Sequence, residues 1–189
     1  MKTFFACLCM LSCLFAHAQV SDNPATMAAF KAGISRVHDF PGVNGIGWHL
    51  EYGFPVSSWV QLETGVKRIQ ASGYPQTGGI REFTHATTID FNVLFVPFSF
   101  PNSALKIGGG YSFVFYHLRR SDPVFTTTGA TKTETWQARD SQGMANGCSL
   151  IGEYEYVFSD KVSAGARVSL AKAYSGHVWM GGPFVAVRL

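Results

Sequence analysis

Ser175-Gly176-His177 sets a hydroxyl two positions from an imidazole, the minimum equipment of a nucleophile and its base. It stands in a short turn, with no nucleophile elbow or paired-carboxylate motif beside it. Glu153 and Glu155 are two residues apart, so on a strand they share one face. That spacing suits acid–base chemistry, but it suits an interior ion-pair network with Arg167 and Lys31 better, because buried charges are ordinarily paired. His38, His85, His117 and His177 fall between the strongest strand signals, where imidazoles could meet a metal. No pair has a local ligand spacing, so neither a metal nor a cofactor is expected. Gly108–Gly110 lies within a strand pattern with no helix after it, and so is no phosphate loop.

The elements that carry these residues show period-two alternation. Ile46, Trp48, Leu50, Tyr52 and Phe54 oppose Gly45, Gly47, His49, Glu51 and Gly53. Seven more stretches repeat the pattern, opening near Phe30, Val60, Thr88, Leu105, Ser149, Val162 and Trp179. Eight strands result, several near the 9 to 11 residues of a tilted membrane strand. The connections alternate between short (55–58, 100–103, 159–161) and longer (36–44, 72–84, 119–143, with 174–177 the shortest of these). The threonine-rich stretch around Gly129-Ala130 could extend its hairpin. The fold predicted is all-β: an eight-stranded antiparallel up-and-down barrel.

Alternation does not say which face is outside. The polar face carries Lys31, Lys67, Lys106, Arg167 and Arg188 against Glu51, Glu63, Asp90, Glu153 and Glu155. The signs balance, as a narrow closed interior requires. Glycines share this face and leave room for long side chains in an eight-stranded barrel. Trp48, Tyr52, Phe54, Trp59, Tyr154, Tyr156, Phe158 and Trp179 crowd towards strand ends on or near the apolar face, where rings meet a membrane interface. These three features put the charges inside and predict a transmembrane barrel. If residues 159–161 form a three-residue loop, Phe158 pairs with Val162 and Glu153 faces Arg167. Between the second and third strands several registers fit.

Residues 1–18 read as an export signal: Lys2, an apolar run over 4–15, then Ala16-His17-Ala18 before Gln19. The run is too short for a spanning helix, which needs about 20 residues. Residues 19–189 form the barrel domain. With the signal gone Cys148 is alone, so no internal disulfide is expected. Charged residues are 14% of the chain, against roughly 25% in soluble domains. The net charge of +3 contains no basic field, so nucleic acid is not an expected partner.

Phe30-Lys31-Ala32-Gly33-Ile34, Val96-Pro97-Phe98-Ser99-Phe100 and Lys106-Ile107-Gly108-Gly109-Gly110-Tyr111 resemble strand motifs of the Bacteroidota outer-membrane β-barrel domain proteins, the porin-like or PorT-like group. The signal ending in Ala-x-Ala before Gln is also typical of them. The resemblance spans residues 19–189 and implies an outer-membrane location, reached by the general secretory route, with no established catalytic residues. The chain ends in Leu189, where barrel-assembly signals usually end in an aromatic residue. The function expected is a non-enzymatic membrane scaffold or surface-interaction protein, its partners membrane lipid and an extracellular or envelope protein or polymer met by the outer loops. The alternatives are a soluble periplasmic lipocalin-like barrel with a small hydrophobic ligand, and an outer-membrane enzyme acting on lipid.

Overall fold

The computed structural model describes residues 27–39, 42–74, 79–128, 131–173 and 176–189. The expected signal segment and Ser175 lie outside them.

Eight strands follow one another: β1 (Ala29–Asp39), β2 (Val43–Ser57), β3 (Val60–Gly73), β4 (Glu82–Phe100), β5 (Ser103–Thr128), β6 (Thr131–Ser159), β7 (Val162–Ala173) and β8 (Gly176–Arg188). Each pairs antiparallel with the next, and β8 returns to β1 to close the barrel. Ala29 faces Arg188 across that seam, so both chain ends lie at one end of the barrel, here the terminal end. Closure leaves no strand edge unpaired around the wall.

The strands run further than their apolar alternation. The connection expected over 36–44 shrinks to 40–42, because Arg36–Asp39 and Val43–Asn44 continue the β1–β2 ladder. The one over 72–84 becomes 74–81, and 119–143 is almost wholly a β5–β6 ribbon that pairs out to Thr128 and Thr131. Length asymmetry therefore resides in strands rather than loops. Polar residues read as loop keep the period of two, and the ladder satisfies their backbone groups without any apolar contribution. Gly42, at φ 98°, makes the tight return between β1 and β2 in a conformation that favours glycine.

At the terminal end the returns are two residues long, at 58–59, 101–102 and 160–161. Each adjoins a bulge, between Pro55 and Ser57, Phe95 and Phe98, or Val157 and Ser159. The last one corrects the expected Phe158–Val162 pair: Ser159 faces Val162, and Phe158 is the extra residue. The register beyond it is unchanged, and Glu153 faces Arg167. Between β2 and β3 the open register resolves as Leu50 opposite Val66.

The apolar face is outside. Leu50 is 54% exposed and Leu150 67%, whereas Lys31 and Glu153 are each 1% exposed. A lipocalin-like barrel needs the opposite arrangement, with Leu50 lining a cavity, and the structure overturns that alternative. The interior is not polar throughout. Val37, Val43, Ile69, Ala71, Ala86, Val114 and Val178 form an apolar layer across it on the side away from the termini.

Interior glycines make space for larger neighbours. A β-carbon at Gly33 would lie 2.5 Å from the His49 imidazole and 2.7 Å from the Pro183 carbonyl oxygen. Gly33→Val should therefore cost about 1–3 kcal/mol of stability in a urea titration, and adding His49→Ala should recover only part of it, since the carbonyl stays in place.

Candidate functional site

The ten charges that the sequence places on one face come together as a single connected chain inside the barrel. Asp90 pairs with Lys67 at 3.0 Å and Lys67 with Glu51 at 3.6 Å. Glu51 pairs with Arg167, which also holds Glu63 at 3.0 Å and Glu153 at 3.2 Å. Glu63 meets Lys31 at 2.5 Å, and Lys31 also holds Glu153. Glu153 meets Lys106 at 3.5 Å, Lys106 meets Glu155 at 2.5 Å, and Glu155 meets Arg188 at 3.4 Å.

All eight strands contribute: Lys31 from β1, Glu51 from β2, Glu63 and Lys67 from β3, Asp90 from β4, Lys106 from β5, Glu153 and Glu155 from β6, Arg167 from β7 and Arg188 from β8. Five cations meet five carboxylates, so the network sums to zero, and every member is buried. Neutral side chains fill in around it. Lys106 donates to the Gln61 carbonyl at 2.8 Å, Thr88 donates to Asp90 at 3.1 Å, and Ser163 donates to Glu155.

A second cluster lies beyond the apolar layer, away from the termini. Arg120 pairs with Asp39 at 2.7 Å and Glu82 at 3.4 Å, and Thr84 donates to Asp39. The Ser121 backbone N–H donates to Glu82 at 2.8 Å. Sequence reading missed this cluster, since all three charges fell in stretches taken as loops. Continuing the parity of Lys31 along β1 to Val37 and Asp39 is the signal that finds both the apolar layer and the cluster above it.

The network leaves little open space beside it among the described residues. Space beside Lys67 and Asp90 amounts to about 20 Å³, and beside Arg167 and Met180 about 10 Å³. Such volumes suit about one water molecule. Glu153 and Glu155 are committed to cations on both sides, and His177 points outward.

The eight aromatics divide between the two ends. Tyr52, Phe54, Trp59, Tyr154, Tyr156 and Phe158 gather towards the terminal end, where Trp59 stacks on Phe95 at 5.9 Å and Tyr156 meets Phe158 edge-on at 5.1 Å. Trp179 lies near the far end of β8 and Trp48 further in along β2. Tyr52 and Phe54 are half-buried and the other six are exposed.

Among the four histidines, His85 and His117 are direct partners across β4 and β5, on the outer wall. Beyond them Arg119 grips Asp140 through Nε at 2.7 Å and Nη2 at 2.9 Å. Those hydrogen bonds hold the Asp140 carboxyl below its ordinary range and Arg119 above its own. Both side chains are largely in solvent.

Interior and outer pairs should respond differently to the loss of one partner. Arg167→Met leaves Glu51, Glu63 and Glu153 without their shared cation and should cost about 3–5 kcal/mol. Arg119→Met should leave the urea midpoint unchanged, because the exposed pair is screened by solvent. Equal midpoint shifts in the two variants would show that the network does not bear on stability.

No family model and no curated protein matches this sequence. Among solved structures the fold has clear neighbours. The N-terminal β-barrel domain of Pseudomonas aeruginosa OprF is 10% identical, at a TM-score of 0.53 over 85% of this chain and 97% of that one. Neisserial surface protein A (NspA) is 9% identical, at 0.59 over 86% and 96%. Ail, the attachment invasion locus protein of Yersinia pestis, is 9% identical, at 0.55 over 87% and 99%. At such identity the likeness is one of fold: this chain has the architecture of the small eight-stranded barrels.

Proposed function

We propose that this chain is an integral protein of a bacterial outer membrane, a non-enzymatic barrel whose far end contacts a surface, a polymer or a partner protein. The observation that carries the reading is the inversion of the barrel. Ten paired charges fill the inside, while Ile46, Leu50, Leu150 and Val168 point outward, 54% to 70% exposed. Water disfavours such a wall and lipid favours it. A closed ladder also meets the requirement that backbone groups in hydrocarbon be satisfied within the protein. The shortest strands, β1 with 11 residues, β7 with 12 and β8 with 13, are long enough to cross.

Barrels of this kind keep tight turns and both termini on the periplasmic side. The terminal end is then periplasmic, and the β5–β6 ribbon projects outward. The ladder of β4 on β5 stops at Phe83–Arg119 and that of β6 on β7 at Cys148–Lys172, and beyond Ser121, which Ile80 and Glu82 still hold, the ribbon continues as a two-stranded ladder with open edges. Open edges can accept a strand from a partner. The contact surface is accordingly a ribbon, not the long loops expected from sequence. Ail has been solved in complex with the heparin analogue sucrose octasulfate, which supports extending polymer contact to this chain. The water-sized interior spaces support a role other than conduction. Export through the signal at residues 1–18, and kinship with the PorT-like proteins of Bacteroidota, belong to the same reading and rest on the sequence motifs.

The test is to fold residues 19–189 in plain buffer and in detergent micelles, following circular dichroism and the mobility of unheated against boiled samples. Strand signal and a compact unheated band only with micelles are expected. A soluble folded monomer in buffer alone would overturn the reading. In lipid vesicles Leu50→Arg should cost about 2–4 kcal/mol near the bilayer midplane.

A further inference from the structure

Every charge of the interior network meets an opposite charge, but the outer wall towards the ribbon is arranged differently. Arg36, Arg68 and Lys172 have outward parity there, and none of them pairs with a carboxylate among the described residues. Arg119 is matched by Asp140. Arg36, Ile46, Gln70, His85, His117 and Gln142 form one row of outward side chains in direct register across β1 to β6. Two rows nearer the termini, Leu50, Val66, Ile89 and Phe113 are apolar across β2 to β5, and Asn146 follows on β6. The wall thus turns from apolar to polar within two rows, with Arg36 and Arg68 as its cations.

At that boundary Arg68, His85, Thr87, Phe115 and His117 line a shallow cleft open to the side. Its donors are held in place. Arg68 donates to Thr87 Oγ1 at 2.6 Å, which leaves further guanidinium N–H groups for a ligand. The Phe83 ring packs against both imidazoles, at 5.1 Å from His85 and 5.0 Å from His117.

We propose that this cleft binds the phosphate of an anionic lipid headgroup in the leaflet around the ribbon end, with Arg68, His85 and His117 as donors. The inference rests on the membrane reading above. A guanidinium matches phosphate geometry and charge. The cleft faces sideways, directly above an apolar row, which is where headgroups lie against a barrel wall. A soluble polyanion reaches the ribbon from above and has no need of donors at that level.

The experiment uses the chain folded in dodecylmaltoside micelles. Retention of dioleoylphosphatidylglycerol is compared with that of dioleoylphosphatidylcholine by native mass spectrometry, and sucrose octasulfate serves as the soluble polyanion. Phosphatidylglycerol should be retained preferentially. Arg68→Gln should weaken its retention about fivefold, the worth of one cation near an anionic surface, and Arg68→Gln with His85→Gln and His117→Gln should remove the preference. Lys161→Gln, an exposed cation at the other end, should change nothing. If the triple variant gives no compact unheated band, Arg68→Gln alone decides. Equal retention of the two lipids, or a preference that Arg68→Gln leaves undiminished, would overturn the inference, and so would octasulfate binding without lipid preference. Failure of the unaltered chain to fold in micelles would instead overturn the membrane reading beneath it.

Discussion

A charge taken out of water must meet an opposite charge, and most of this barrel follows from that requirement. An isolated buried carboxylate or ammonium is too costly to keep. Ten of them can share an eight-stranded interior only as a network that sums to zero. Because each strand supplies at least one member, the network also joins elements that are far apart in sequence: Lys31 of β1 touches Glu153 of β6, and Arg167 of β7 touches Glu51 of β2. Neighbouring strands are held by their ladders. The network ties strands on opposite sides of the ring and so opposes collapse of the barrel and slippage of its register.

The interior is layered as a consequence. Along β1 the inward positions run Ala29, Lys31, Gly33, Ser35, Val37 and Asp39. Along β4, read the other way, Glu82 and Thr84 give way to Ala86, then to Thr88, Asp90 and Asn92. The apolar layer contributed by Val37, Ala86 and their neighbours covers the network on the ribbon side. It keeps the effective dielectric low around the ion pairs, which strengthens the pairing and raises the cost of leaving any member alone. The Asp39, Glu82 and Arg120 cluster sits above that layer, with the guanidinium partly open to solvent.

The outer surface obeys the same electrostatics with a different partner. Near the ribbon it carries cations that the protein leaves without carboxylates, and towards the termini it carries aromatic and aliphatic side chains. Inside, the protein supplies both signs. Outside, Arg36, Arg68 and Lys172 stand without carboxylates among the described residues, above a band of apolar surface, an arrangement suited to a medium with anionic headgroups above hydrocarbon. The proposed surface contact on the ribbon and the proposed lipid contact below it fall on separate parts of one wall, and the interior charges are committed to one another.

Much of this was legible in the residues. Strict alternation defined eight strands, and equal numbers of cations and carboxylates on one face indicated a closed interior. A short loop over 159–161, with the apolar residues kept on one face, put Glu153 opposite Arg167. These are local facts, because side-chain period and charge balance are properties of the chain itself. Strand ends were not legible, since Arg36 to Asp39 and the threonines of the ribbon have no apolar periodicity and owe their extended form to the neighbouring strand's hydrogen bonds. Nor was the β2–β3 register, for which several offsets kept the apolar residues together. Which cation meets which carboxylate, and the meeting of Arg68, His85 and His117, were decided by tertiary structure alone. Each depends on strand offsets accumulated around a closed ring, and no segment of the chain contains that information by itself.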